Sequence, residues 1–172
     1  MKYSRIYVVG PEGSGKSTLA KKLSKKIGIK HYDLDDIVWS RRYDKKRSHK
    51  MRLKKLKELV KKKSWIIEGA FGGWVEPIFK ETDLVIMLNL KYSILARRHV
   101  KRSLLGRFQG YEKEKRKSVR GTLKMIKHVK QYASRDHPKS SKQHRVLAEK
   151  HDCKLIEVRD RKDIQKLLNE IH

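Results

Sequence analysis

Four short stretches of the chain are apolar almost throughout, with no polar residue at every second place: Arg5–Val9, Trp65–Ile67, Leu84–Leu88 and Lys154–Val158. Strands covered on both faces read this way, as in a parallel sheet flanked by helices. Lys30–Tyr32 is a weaker fifth strand. Between them the apolar positions recur with helical period, at Leu19, Leu23 and Ile27, at Leu53, Leu56, Leu59 and Val60, at Val119, Leu123, Ile126 and Val129, and at Ile164, Leu167, Leu168 and Ile171. A further helix is predicted over Tyr92–Leu105, followed by a loop from Gly106 to Glu114. Pro138 and the Ser140–Ser141 pair break the pattern before a short helix through Val146 and Leu147. Strand alternating with helix predicts a doubly wound α/β sandwich with right-handed crossovers.

Composition narrows the class. At 172 residues the chain fits one domain, 1–172, with 37% hydrophobic and 38% charged residues. Its net charge of +27 predicts an anionic partner. The excess is uneven: residues 41–63 carry a net +11 and residues 91–121 a net +9. Most lysines in these blocks, Lys54, Lys55 and Lys57 among them, read as a solvated helix face. No apolar run reaches membrane-spanning length and the N-terminus lacks a secretory pattern, so a cytoplasmic protein with no membrane partner is expected. Cys153 is the only cysteine, which excludes an internal disulfide and a thiolate zinc site.

The chemistry is concentrated near the N-terminus. Gly10-Pro11-Glu12-Gly13-Ser14-Gly15-Lys16-Ser17-Thr18 satisfies GxxxxGK[ST] between a predicted strand and a predicted helix. Glycines at 10, 13 and 15 let the backbone turn tightly enough to aim successive N–H groups at phosphate oxygens, and the helix N-terminus adds a favourable dipole. Lys16 is placed to reach the β- and γ-phosphates and the Ser17 hydroxyl to ligate magnesium. The cradle, Gly10, Gly13, Ser14, Gly15, Lys16, Ser17 and Thr18, therefore predicts binding of a nucleoside triphosphate with Mg2+. No base-reading NKxD segment of a small GTPase is present.

Beyond the cradle the chain resembles the adenylate-kinase-like nucleotide kinases of the P-loop superfamily, in particular the bacterial DNA topology modulation proteins. The resemblance spans nearly the whole length. It rests on the cradle, on His31-Tyr32-Asp33-Leu34-Asp35 followed by Trp39, on Trp65-Ile66-Ile67-Glu68-Gly69, on Leu88-Asn89-Leu90, on an Arg-rich stretch from Arg97 to Arg107, and on Tyr132 to His137. Members of that family usually carry Asp where Glu68 and Asn89 stand, and Gly-Asn-Tyr where this chain has Gly69-Ala70-Phe71.

The resemblance implies a three-layer αβα sandwich with a five-stranded parallel sheet, a mobile lid over 97–121 and an acceptor-binding segment over 41–63. It implies ATP as phosphoryl donor and a small acceptor, a nucleoside or nucleotide. Arg98 and Arg102, four apart on one helix face, are assigned by it to the phosphates, with one of them alternatively stacking on the base. Asp33 and Asp35 follow the second strand at the carboxyl edge of the sheet, where such folds bind ligands. Asp33-Leu34-Asp35 is also similar to the Asp-x-Asp of shikimate kinases, which implies that one carboxylate supports the metal through water, here Asp33, and the other, Asp35, contacts the acceptor hydroxyl. Capping of a helix by Asp35 or Asp36 is the structural alternative. Glu68 ends its strand where a carboxylate would hold a magnesium-bound water. Arg159 lies in the region that borders adenine in adenylate-kinase folds. The competing function is a nucleic-acid-associated ATPase whose two basic blocks neutralise an RNA or DNA backbone, with Trp39, Tyr43, Phe108 and Tyr111 as stacking candidates.

Overall fold

The computed structural model describes residues 3–41, 45–108, 121, 123, 127, 129, 130, 132 and 140–171, the side chains of Arg41 and of 102–108 excepted. Seven strands are formed: β1 (Arg5–Val9), β2 (His31–Asp33), β3 (Trp39–Arg41), β4 (Lys45–Lys46), β5 (Trp65–Glu68), β6 (Leu84–Leu88) and β7 (Lys154–Val158). Five of them make one parallel sheet in the order β2-β5-β1-β6-β7. The described helices are α1 (Lys16–Ile27), α2 (Leu34–Val38), α3 (His49–Val60), α4 (Glu76–Glu81), α5 (Tyr92–Phe108), α6 (Ser141–Lys150) and α7 (Arg161–Glu170). Together they form the expected αβα sandwich.

Alternate residues of β1 divide the core. Ile6 and Val8 face one side of the sheet with Leu19 and Leu23 of α1 and Leu167 of α7. Tyr7 and Val9 face the other with Leu56 and Leu59 of α3, Phe79 of α4 and Ala148 of α6. Both layers are apolar, and all five residues of β6 are buried. That double burial is what the unbroken apolar runs require.

Several expectations shift. The fifth strand starts one residue later than Lys30, at His31, because it is Asp33 that pairs in register with Glu68. Lys154–Val158 is not covered on both faces: as the sheet's edge it is exposed at Lys154 and fully buried only at Val158. Helix α5 does not stop at Leu105 but runs through Gly106 to Phe108, a lone helical glycine costing only about 1 kcal/mol against alanine. The rest of the predicted loop, 109–114, lies outside the described residues. Ser140 caps α6 by accepting the Gln143 N–H at 3.2 Å. The helix buries His144 and Ala148, whereas Val146 is 45% exposed. In the predicted stripe from Val119 to Val129, Val129 is buried beside Leu90 and Leu95 but Leu123 is 61% exposed. Val119 and Ile126 lie outside the described residues. In segment 41–63, the antiparallel pair β3/β4 precedes α3, whose Lys54, Lys55 and Lys57 are exposed as expected. Among the described residues no helix is long and apolar enough to cross a membrane.

Candidate active site

Strand β1 lies at the centre of the sheet, between β5 and β6, so the turn leaving Val9 opens where the chain order reverses. Open α/β sheets bind their ligands at this crevice. The turn is the predicted cradle. Gly13 (φ +77°) and Gly15 (φ +97°) occupy the left-handed region, and Gly15 caps α1. The backbone thus delivers the N–H groups of the loop and of the first turn of α1 to one concavity.

Helix α5 braces that loop from outside. Arg98 donates through one guanidinium nitrogen to the carbonyl oxygens of Gly13 (3.2 Å) and Ser14 (3.0 Å). Nε2 of the buried His99 lies 3.0 Å from the Glu12 oxygen, so this nitrogen carries the proton that the carbonyl accepts. Three consecutive carbonyls are therefore held by one helix, and their peptide planes are fixed. Arg98 was expected on the phosphates; here its guanidinium sits on the cradle's backbone. Arg102 is on the same helix, but its side chain lies outside the described atoms.

The Gly13 position also leaves no space, since a Cβ there would lie 2.7 Å from His99 Nε2. Gly13→Ala combines that clash with a left-handed backbone, a strain of about 1–3 kcal/mol. We expect it to weaken ATP binding roughly tenfold, measured by calorimetry, with the protein still folded.

Lys16 Nζ donates to the Pro11 carbonyl at 3.0 Å. Burial pulls its pKa below the usual lysine value, opposed by the carboxylates of Glu68, Glu12, Asp35 and Asp33 in falling order of influence. The charges of those four acids all act on one cation in a protein of net charge +27. Glu68, only 3% exposed, has its pKa raised by burial, while a hydrogen bond from Ser17 and the charge of Lys16 act in the opposite direction. Ser14 Oγ is buried and has no hydrogen-bond partner.

Ser17 and Glu68 thus supply adjacent oxygen donors beside the cradle, the hard ligands that magnesium selects. Among the described residues no three His, Cys, Asp or Glu side chains form a complete cage, so magnesium here would draw its remaining ligands from water and nucleotide oxygens. The donor set fits that ion. Asp33 Oδ1 accepts the Asp35 N–H at 2.8 Å and caps α2, so the capping residue is Asp33 instead of Asp35 or Asp36. This cap points the start of α2, with Asp35, along the same edge as Glu68.

Arg159 is remote from this cluster. Its side chain pairs with Glu157 at 2.8 Å and its backbone N–H donates to Asp163 at 2.7 Å, just past the end of β7. Asn89 joins the same edge, donating to Glu157 at 3.1 Å. Of the run from Tyr132 to His137, only Tyr132 is among the described residues.

Three further residues matter to the site. His31 Nε2 is buried without a hydrogen bond, 3.9 Å from Glu68 Oε1, and burial lowers its pKa, which keeps the ring neutral. Arg52 of α3 lies over the Trp74 ring at 5.6 Å, with its Nε buried and unpartnered. Phe71 packs against Trp74 with ring centroids 5.7 Å apart, so residues 71–74, after β5, make an aromatic wall beside that guanidinium. His99 is the third. In the sequence Arg52 is one of thirteen basic residues in 41–63 and nothing sets it apart.

Known proteins resemble this chain in sequence and fold. The family model AAA_18, described as an AAA domain, matches residues 6–117. The uncharacterized protein YqaC of Bacillus subtilis (strain 168) is 38% identical over 84 residues, 48% of this chain and 47% of YqaC, so the match spans about half of that relative's length. Among solved structures, a shikimate kinase from Bacteroides thetaiotaomicron superposes with a TM-score of 0.56 at 19% identity, covering 96% of this chain and 94% of its own. A shikimate kinase from Acinetobacter baumannii, in complex with shikimate, gives 0.56 at 18% identity over 99% and 96%. A sugar kinase from Janibacter sp. HTCC2649 gives 0.54 at 14% over 97% and 93%. At these identities the likeness is one of fold, the P-loop kinase-like sandwich.

Proposed function

The chain belongs to this AAA-domain family of P-loop proteins, and from that premise we propose that it is an ATP-dependent phosphotransferase acting on a small acceptor, a nucleoside or nucleotide. The observation that carries the reading is the grouping at the carboxyl edge of the sheet of Lys16 and Ser17, which open α1, with Glu68 and Asp33, which pair in register at the ends of β5 and β2, and with Asp35 in the first turn of α2. A molecule that only bound nucleotide would gain nothing from further carboxylates beside a triphosphate, because they repel it. A phosphotransferase needs them for metal support and for the acceptor hydroxyl.

In the proposed reaction the loop N–H groups hold the triphosphate and Lys16 stabilises the charge on the migrating γ-phosphoryl group. Asp35 orients the acceptor hydroxyl and takes its proton as the new O–P bond forms and the bond to the β-phosphate oxygen breaks, releasing ADP. Magnesium, when held by Ser17 and, through water, by Glu68 and Asp33, would neutralise charge on the phosphate oxygens. Arg102 is proposed to reach the phosphates from α5, with Arg98 acting on them through the cradle backbone it grips. The backbone around Arg159 is proposed to border the base of ATP. An aromatic wall of Phe71 and Trp74 with the Arg52 guanidinium over it, its Nε without a hydrogen-bond partner, suits a planar acceptor that carries negative charge.

The test is ADP release from Mg-ATP with nucleosides, nucleoside monophosphates, shikimate-like hydroxy acids and RNA as separate acceptors, each at two salt concentrations. Stimulation by a nucleoside or nucleotide is expected. Stimulation by RNA alone, falling steeply with salt, would instead favour a nucleic-acid-dependent ATPase working through the exposed lysines of α3.

A further inference from the structure

Helix α6 carries a fully buried imidazole that the proposed chemistry does not use. His144 is 0% exposed and lies near-parallel to two rings, Phe79 at 6.3 Å and Tyr132 at 5.8 Å. Its Nε2 is 3.1 Å from the carbonyl oxygen of Phe71, and its Nδ1 is 3.5 Å from the Tyr132 hydroxyl. A carbonyl only accepts, so Nε2 carries the proton; Nδ1 of the neutral ring then accepts the O–H of Tyr132. One hydrogen-bonded line runs from Tyr132 through the imidazole to the backbone of the loop after β5.

That loop has a second buried anchor. The Tyr7 hydroxyl donates to the Gly69 carbonyl at 3.0 Å, two residues before Phe71. Two carbonyls of the segment following Glu68 are thus fixed by side chains from β1 and α6, and Phe71 and Trp74 project from the backbone so held. At the other end of the line, three residues before Tyr132, Val129 is buried with Leu90, just ahead of α5, and with Leu95 in its first turn. Helix α5 in turn grips the cradle through Arg98 and His99.

We propose that His144 is a positioning residue: it sets the loop at 69–74 that walls the acceptor side, and through Tyr132 it joins that loop to the helix bracing the phosphate cradle. The role as an acceptor wall rests on the phosphotransferase reading; the mechanical link does not. Cutting the tie therefore loosens the acceptor wall, while the cradle keeps its own brace from Arg98 and His99.

Four variants separate this from ordinary core packing. In His144→Asn the amide is too short to reach Phe71 O, and in His144→Gln it is long enough to replace the Nε2–H. Tyr132→Phe deletes only the hydroxyl, and Tyr7→Phe removes the second anchor. Hydrogen exchange read by mass spectrometry should show amides 69–75 of His144→Asn exchanging roughly tenfold faster. β1 and α1 should stay protected and Mg-ATP affinity unchanged. His144→Gln should restore most of that protection. Tyr132→Phe and Tyr7→Phe should loosen the same segment. With an acceptor found in the ADP-release screen, His144→Asn should raise the KM for acceptor and leave that for ATP alone.

Wild-type exchange at 69–75 in a folded His144→Asn would overturn the proposal, as would acceleration spread evenly over the sheet. If His144→Asn fails to fold, Tyr132→Phe decides by the same readout. The exchange measurement needs no turnover, so its failure is distinguishable from failure of the kinase reading, which would show as no ADP release with any acceptor.

Discussion

Lys16→Ala slows phosphoryl transfer by roughly 100- to 1,000-fold, the loss of about 2.7–4 kcal/mol that accompanies removal of one preorganised charge donor at a reacting centre. The expectation comes from the side chain's surroundings. The charges of Glu68, Glu12, Asp35 and Asp33 act on Lys16, and its ammonium offsets them at the spot where a triphosphate must approach. Without it the carboxylates repel the nucleotide, so ATP binding weakens as well as transfer. Single-turnover transfer from labelled ATP to the acceptor found in the screen measures the chemical step, and the unfolding midpoint checks that the variant is folded. Wild-type turnover by Lys16→Ala would remove this lysine from the reaction.

A second large effect is acid destabilisation through His144. Burial pushes its pKa down from 6.5 to about 4, against the raising influence of the nearby Phe71 and Ser140 carbonyls. The unfolded chain takes a proton at this residue below pH 6.5, whereas the folded protein does not until about pH 4. Stability from the buried neutral ring is therefore complete above the unfolded value and falls as pH drops through the window between the two. At 1.36 kcal/mol per pKa unit that gap corresponds to about 3 kcal/mol, a large part of a typical folding free energy. Urea unfolding across this window should show the loss in the wild type and a clearly smaller one in His144→Gln. His31, also lowered by burial, contributes a residual slope of the same sign in both proteins. Equal slopes in the two would show that His144 does not carry the effect.

Features with short-range causes were readable in the chain itself. The cradle needs nine consecutive residues between a strand and a helix, and each of its glycines answers a local backbone demand. The strands at Arg5–Val9 and Leu84–Leu88 announced themselves because double burial leaves no polar position. The β3/β4 pair did not, since its lysines and arginines reflect a small solvent-facing hairpin with almost no core to show. Arg52, His99 and His144 were hidden for another reason. Their partners Trp74, Glu12 and Phe71 are far away in sequence, so only the fold turns an ordinary basic residue into a stacked guanidinium, a loop brace or a buried tie. The short helix through Val146 and Leu147 is formed as α6; what the pattern did not show is that it buries a histidine whose ring nitrogen finds a partner across the domain.

The order of the sheet has a consequence for anyone shortening this protein. The matched family region stops at residue 117, yet β7 begins at Lys154 and covers the outer edge of β6 along its full length, from Leu84 against Lys154 to Leu88 against Val158. A fragment cut at 117 would bare five consecutive apolar residues with unpaired backbone donors and acceptors, a template for self-association. Strand β7 thus acts as a guard against self-association along that edge.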